Sequence, residues 1–191
     1  MIAKGLDFEN VTLVGIINAD LGLMIPDFRS DEKMFQLIYQ VSGRAGRREK
    51  PGTAIIQTYN PDDIYIQTAA SLNTKKFYNI AMAQRQELNY PPFSRIGRIL
   101  FFGPDKNKVN SIAQMIYQKL CGNSDYKILG PSPAPLEKIQ NMWRSHLIIK
   151  TRDKIGGSIH QLLHQNIGFS IFERSRQGVR IQVDIDPVSM M

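Results

Sequence analysis

Two hydrophobic patterns alternate along the first half of the chain. The apolar run VTLVGIINAD (11–20) contains no polar alternation, which is typical of a strand buried on both faces. The following residues predict an amphipathic helix with Asp31 as its N-cap. Its apolar positions recur at three- and four-residue steps: Met34, Leu37, Ile38, Val41 and Ala45. TAIIQTY (53–59) predicts a second strand, and residues 62–88 predict helix with a break near Asn73. Strand, helix and strand form one α/β unit.

The second half has a different order of elements, which begins after the helix-stopping prolines of NYPPF (89–93). Strands are predicted at 95–102, 127–139, 146–151 and 179–186, with an amphipathic helix in each of the two longer intervals. In the last strand, Val179, Ile181, Val183 and Ile185 face one way and the polar residues between them face the other. The order β-α-β-β-α-β predicts a ferredoxin-like split βαβ domain. We therefore expect two domains, residues 1–90 and 91–191.

The positive charge is confined to the second of these halves. Residues 1–92 contain ten Lys/Arg and ten Asp/Glu, whereas residues 93–191 contain fourteen and seven, which accounts for the whole net charge of +7. Such a half attracts polyanions, nucleic acid first, although the charge could also serve solubility alone. The single cysteine, Cys121, cannot form an internal disulfide and fits a reducing compartment.

Most of the candidate chemistry of the first half lies in QVSGRAGRREK (40–50). If the helix continues through this stretch, Gln40, Arg44 and Arg47 lie in one narrow arc beside the apolar face. Guanidinium groups are planar, always charged and suited to phosphate oxygens. The alternative is that these cations only stabilise the C-terminal end of a helix.

The sequence context adds a family resemblance. The pattern Q-x-x-G-R-x-x-R, with KGLDF (4–8) ahead of it, resembles the last two motifs of superfamily 2 helicases. The longer strings IPDFRSDEKMFQLIYQVSGRAGR and RQELNYPPFSR resemble the bacterial primosomal replication-restart DNA helicases, and the similarity runs over essentially the whole chain. The resemblance implies the C-terminal part of a RecA-like motor lobe 2 in residues 1–90. It implies a basic α+β domain, similar to a small-subunit ribosomal protein, in residues 91–191.

The resemblance also implies roles for residues near the nucleotide. Arg47 would be the arginine finger that stabilises charge on the γ-phosphate, with Arg44 beside it. Gln40 would contact phosphate or the attacking water. Asp7 would touch the ribose, and Gly43 would belong to the same nucleotide-binding motif.

Other residues are candidates for DNA or a protein partner. By the resemblance, Lys4 and Gly5 would lie near the DNA backbone. Lys150, Arg152 and Lys154 could bind phosphate or an acidic peptide. Trp143 beside Arg144 could stack a base, although a core tryptophan is the commoner outcome. The family further implies branched and single-stranded DNA, the acidic tail of single-stranded-DNA-binding protein and other primosome proteins as partners.

Several family features are absent from the sequence. It contains no G-x-x-x-x-G-K-[ST] phosphate loop and no Asp-Glu box, so ATP and Mg²⁺ are expected as cofactors only of the complete protein. Ligands for the zinc of the family are absent, because such a site needs more than Cys121. His160 and His164 are spaced to share a metal, but a solvated helix face is favoured.

These observations lead to one main expectation and one alternative. The chain is expected to be the final quarter of a cytoplasmic bacterial 3′-to-5′ ATP-dependent DNA helicase that restarts stalled replication forks, and to be inactive as an ATPase alone. The alternative is a non-enzymatic nucleic-acid or protein-binding module.

Overall fold

The computed structural model describes residues 11–43, 52–151, 158–168, 174–176 and 178–190. The chain divides into two compact units, Met1–Gln84 and Arg85–Met191, each with its own hydrophobic core. Among the helices of the described part, none is both long and apolar enough to cross a membrane.

The first unit contains a small parallel sheet and helices that pack on it. Strands β1 (Leu13–Ile16) and β2 (Thr53–Ile56) pair in parallel, as the α/β pattern predicted. Within the described residues, the helices of this unit are α1 (Asp20–Leu23), α2 (Ser30–Ser42), α3 (Ile64–Ala70) and α4 (Thr74–Glu87). The break predicted near Asn73 is confirmed, because it separates α3 from α4. The short α1 was not predicted.

Aromatic stacking organises the core of this unit. The rings of Phe35 and Phe77 stack with their centres 4.1 Å apart, and Ile38 beside them is fully buried. Val14 and Ile16 of β1 pack against this cluster, which includes the apolar side of α2. The 3.6-residue periodicity of α2 places Met34, Ile38 and Val41 in this core, whereas Leu37, which the pattern assigned to the same face, is 43% exposed.

Two local predictions for the first unit are wrong. β1 is not buried on both faces, since Leu13 is 60% exposed; among the described residues its sheet has just two strands, and the core covers one side. Asp31 is not the N-cap of α2, because the helix begins at Ser30. The N-cap is Arg29, which makes no side-chain capping bond, and the Ser30 hydroxyl shares its proton between the carbonyls of Ile25 and Asp27. Asp31 lies in the first turn, where a negative charge favours the helix dipole.

The second unit is a two-layer α/β sandwich with a five-stranded antiparallel sheet. Its elements, in chain order, are β3 (Ile96–Gly103), α5 (Lys106–Leu120), β4 (Tyr126–Ile139), β5 (Met142–Thr151), α6 (Ile159–Ile167), β6 (Arg174–Arg176) and β7 (Val179–Ile185). The strand order is β4-β5-β3-β7-β6. This order, with β3 between β5 and β7, confirms the predicted split βαβ arrangement. The three-residue edge strand β6 was not predicted.

The sheet of the second unit has two different faces. On one face Ile99, Phe101 and Leu147 are fully buried in the core that α5 and α6 complete. α6 packs so closely that a Cβ on Gly97 would lie 2.9 Å from Ile159. The predicted alternation of β7 is confirmed, with its odd-numbered residues Val179 to Val183 buried in the core. The other face carries the even-numbered residues of β3, β5 and β7, and we call it the open face. Ile96, Arg98 and Lys150 on it are buried, and its exposed part is the end that carries Arg180 and Gln182.

Candidate nucleic-acid interface

The open face is built from side chains that the strand register sets in straight rows. In an antiparallel sheet, residues directly opposite one another have neighbouring side chains on the same face. The register of β3 with β5 and β7 gives three such rows: Arg144–Phe102–Arg180, His146–Leu100–Gln182 and Ile148–Arg98–Asp184. The first row therefore sets an aromatic ring between two arginines.

Cations predominate on the open face. Strands β3, β5 and β7 contribute Arg98, Arg144, Lys150 and Arg180, whereas Asp184 is the acidic residue of these strands. Asp184 faces Arg98 at 3.5 Å and so compensates one of the four charges. The remaining positive charge attracts anions, most strongly toward the row of Arg144 and Arg180.

A cavity of about 410 Å³ lies over the first row. Its lining combines apolar, amide and guanidinium side chains: Leu100, Phe102, Ile139, Gln140, Met142, Arg144, Arg180 and Gln182. The guanidinium carbon of Arg180 lies 6.0 Å from the centre of the Phe102 ring. Arg144 is held on the other side, because its Nη1 donates to the carbonyl of Leu136 at 3.2 Å.

The electrostatics of the open face show how closely its cations are grouped. Burial lowers the pKa of His146, and the positive charges of Arg98 and Arg144 lower it further. The pKa of Arg144 is also lowered, first by burial and then by Arg98. The buried Nδ1 of His146 has no hydrogen-bond partner. Of these groups Arg144 lines the cavity, and an anion there would offset its repulsion by Arg98.

Lys150 lies at the opposite end of the open face, and it is only 6% exposed. Its ammonium lies 3.3 Å from the centre of the Tyr90 ring and donates to the carbonyl of Leu88 at 3.3 Å. Residues 88–90 thus cover this end, and the cavity end stays open. Burial lowers the pKa of Lys150 to about 8, with a smaller effect from Lys127.

Replacing Lys150 with methionine should remove a pH-dependent part of the stability. Because the pKa is about 8 in the folded chain and 10.5 ordinarily, the unfolded chain holds the proton more tightly. The cost of the buried charge is fully present below about pH 8, and stability rises as pH increases from about 8 to 10.5. Urea unfolding followed by the fluorescence of Trp143 checks this at about pH 7 and about pH 9.5. The free energy of unfolding of wild type, relative to that of Lys150→Met, should be larger at about pH 9.5 than at about pH 7. An equal difference at both pH values would contradict the lowered pKa of Lys150.

Trp143 does not share a face with its neighbour Arg144. Its indole packs against the core of the second unit, on the side of the helices. The ammonium groups of Lys106 and Lys138 lie 4.8 Å and 4.7 Å from the centre of a Trp143 ring. The ring therefore already has cation–π partners, and its predicted stacking on a base stays a prediction.

The predicted nucleotide-site residues lie mainly outside the described part. Gln40 and Gly43 are exposed at the C-terminal end of α2, where the Gly43 N–H donates to the carbonyl of Tyr39 at 3.0 Å. The other candidates fall outside the described residues, and their roles stay predictions: Lys4, Gly5, Asp7, Arg44, Arg47, Arg152 and Lys154.

Asp20 has a structural role at the end of β1. It is buried and accepts hydrogen bonds from the Thr58 hydroxyl at 2.8 Å, the Tyr59 N–H at 2.9 Å and the Asn60 amide at 3.2 Å. The Tyr59 bond is the main cause of its lowered pKa. These three hydrogen bonds to one carboxylate link the segment that follows β1 to the segment that follows β2.

The two histidines of α6 lie side by side. The centres of the His160 and His164 rings are 6.2 Å apart, and the described residues contain no group of three side chains that could hold a metal.

The sequence patterns missed three residues of the cavity. Phe102, Arg180 and Gln182 were not predicted as site residues. Alternation along β7 indicated that Arg180 and Gln182 share a face, but not what lies beside them.

Comparison with known proteins gives consistent matches. Residues 86–188 match the model of the family described as primosomal protein N C-terminal domain. Replication restart protein PriA of Bacillus subtilis is 43% identical over 193 residues, covering 100% of this chain and 24% of the relative. The proteins of the same name from Chlamydia muridarum and Synechocystis are 37% and 36% identical over 99% and 100% of this chain. The chain spans about a quarter of the length of the curated relatives it matches.

Proposed function

The chain belongs to the primosomal protein N C-terminal domain family, and we propose that it forms the C-terminal portion of an ATP-dependent 3′-to-5′ DNA helicase that restarts stalled replication forks. The observation that carries the proposal is the identity of 43% to a replication restart protein over the whole chain. The relative is about four times longer, so we assign the activity to the complete protein.

The two units of the chain would have different functions in the helicase. The first would supply the end of the motor, with Arg47 as the finger on the γ-phosphate, Arg44 and Gln40 beside it, and Asp7 and Gly43 toward the nucleotide. ATP and Mg²⁺ would bind in the complete protein, whose other parts would hold the phosphates and the zinc of the family. The motif spacing in the sequence supports this assignment.

The second unit would bind branched and single-stranded DNA. The excess of fourteen Lys/Arg over seven Asp/Glu in residues 93–191, and the grouping of cations on the open face, support this role. Lys4 and Gly5 of the first unit would contact the DNA backbone, and so would Arg152 of the second unit. Lys154 would contact the acidic tail of single-stranded-DNA-binding protein in the bacterial cytoplasm, beside other primosome proteins.

The 191-residue chain alone should show no ATPase activity, with or without DNA. Its sequence contains no phosphate loop to hold the nucleotide, and an arginine finger without that loop has no phosphate to act on. Phosphate release measured beside the complete protein as positive control checks this. Robust DNA-stimulated hydrolysis by the chain alone would contradict the proposal. An inactive complete protein would favour the second candidate, a non-enzymatic binding module, which the cationic open face also fits.

A further inference from the structure

We propose that the cavity over Phe102 binds one nucleotide of single-stranded DNA, with the base stacked on the Phe102 ring and the flanking phosphates held by Arg144 and Arg180. This inference rests on the proposed DNA-binding function of the second unit and names the site within it.

The register provides the first argument. Phe102 lies directly opposite Arg144 on one neighbouring strand and Arg180 on the other. Neighbouring side chains in such rows start about 5 Å apart, so one arginine stands on each side of Phe102. The guanidinium carbon of Arg180 lies over the ring, 6.0 Å from its centre, and this exposed side chain would move aside for a stacked base. The ring is only partly buried, whereas the adjacent Phe101 is fully buried in the core. Phe102 is thus a large aromatic side chain presented to solvent at the floor of a cavity.

The chemistry of the lining provides the second argument. Single-stranded nucleic acid is bound by aromatic rings that stack bases and by cations that follow the phosphates. Gln182 and Gln140 add amide groups that can donate to and accept from a base edge. A volume of about 410 Å³ is in the range of small-molecule sites and suits a nucleotide unit.

The charge of the face selects an anion and argues against an apolar partner. The cavity is lined by Arg144 and Arg180, whereas Asp184, the acidic residue of strands β3, β5 and β7, pairs with Arg98, and Lys150 is buried at the opposite end. Stacking on the ring requires an unpaired base, because the faces of paired bases are already stacked inside a duplex. The site therefore favours single-stranded over double-stranded DNA.

Fluorescence anisotropy with the full 191-residue chain tests the site. The ligands are a labelled oligothymidylate and an abasic strand of equal length. The variants are Phe102→Leu, Phe102→Tyr and the double variant Arg144→Gln/Arg180→Gln. The matched control is Lys108→Gln/Lys119→Gln, which removes two exposed charges from α5 on the other side of the sheet. Circular dichroism confirms that each variant is folded.

The expected pattern separates stacking from charge. Phe102→Leu should weaken oligothymidylate binding about tenfold and leave the abasic strand unaffected, whereas Phe102→Tyr, which keeps the ring, should bind normally. The double arginine variant should weaken binding to both strands and reduce the salt slope by roughly 0.7 for each lost phosphate contact.

Four outcomes would contradict the proposal, and each would contradict a different part of it. If wild type binds but the arginine variant behaves like the lysine control, DNA lies elsewhere on the chain and the open-face site is wrong. If Phe102→Leu affects both strands equally or neither, the stacking is wrong. If an acidic peptide displaces the oligonucleotide from wild type but not from the arginine variant, and binds more tightly than DNA, the occupant is a protein. Absence of DNA binding by wild type would contradict the proposed function itself.

Discussion

Replacing Arg47 with alanine in the complete helicase should lower kcat for DNA-stimulated ATP hydrolysis by about a thousandfold or more. An arginine finger stabilises the negative charge that spreads over the γ-phosphate oxygens in the transition state, and it contributes little to the ground state. KM for ATP should therefore change far less than kcat. DNA affinity should also stay close to that of wild type, because Arg47 would face the nucleotide.

Arg48 is the matched control for this variant. It has the same charge and lies one residue further along, outside the predicted arc of Gln40, Arg44 and Arg47. Steady-state ATPase assays of Arg47→Ala and Arg48→Ala should show the large loss in the first variant alone. Equal activities in the two variants would remove the finger assignment.

Phe101→Ala should destabilise the second unit by about 3–5 kcal/mol, close to the whole stability of a small domain. Phe101 is fully buried on β3, the central strand, among the side chains that join the sheet to α5 and α6. Truncating it removes a large apolar surface and leaves a cavity that close-packed neighbours cannot fill.

The next residue, Phe102, is the matched control for Phe101. It has the same side chain on the open face, where the ring is partly exposed, so Phe102→Ala should cost much less. The only tryptophan of the chain, Trp143, packs on the core of the second unit, and its fluorescence follows unfolding of that unit in urea. A loss for Phe101→Ala no larger than that for Phe102→Ala would contradict the assignment of the two faces.

Local pattern was enough to predict much of the fold. The alternation of 179–186 identified β7 and its buried side, and the 3.6-residue periodicity identified α2, because these patterns depend only on neighbours in sequence. The burial of β1 could not be predicted, since it depends on which strands and helices cover it. The start of α2 could not be predicted from capping residues either, because its N-cap is Arg29, which makes no side-chain capping hydrogen bond.

The candidate site was less predictable than the fold. The row Arg144–Phe102–Arg180 joins three strands that are far apart in sequence, and its existence depends on their register. The burial of Lys150 depends on Leu88 and Tyr90, about sixty residues earlier, so a basic run alone could not reveal it. Charge asymmetry between the halves predicted that the second unit binds a polyanion, but not on which face its cations lie together.

Salt-dependent binding of single-stranded DNA by the wild-type 191-residue chain is the decisive test of the proposed DNA-binding role of the second unit. Log K should fall linearly with log[salt] between about 50 and 200 mM, with a slope of roughly −0.7 for each phosphate contacted. A slope steeper than about −1.4 would match the two contacts proposed for Arg144 and Arg180 together with further cations of the second unit. Binding that is independent of salt, or no binding at low salt, would contradict a role of the second unit in holding DNA phosphates.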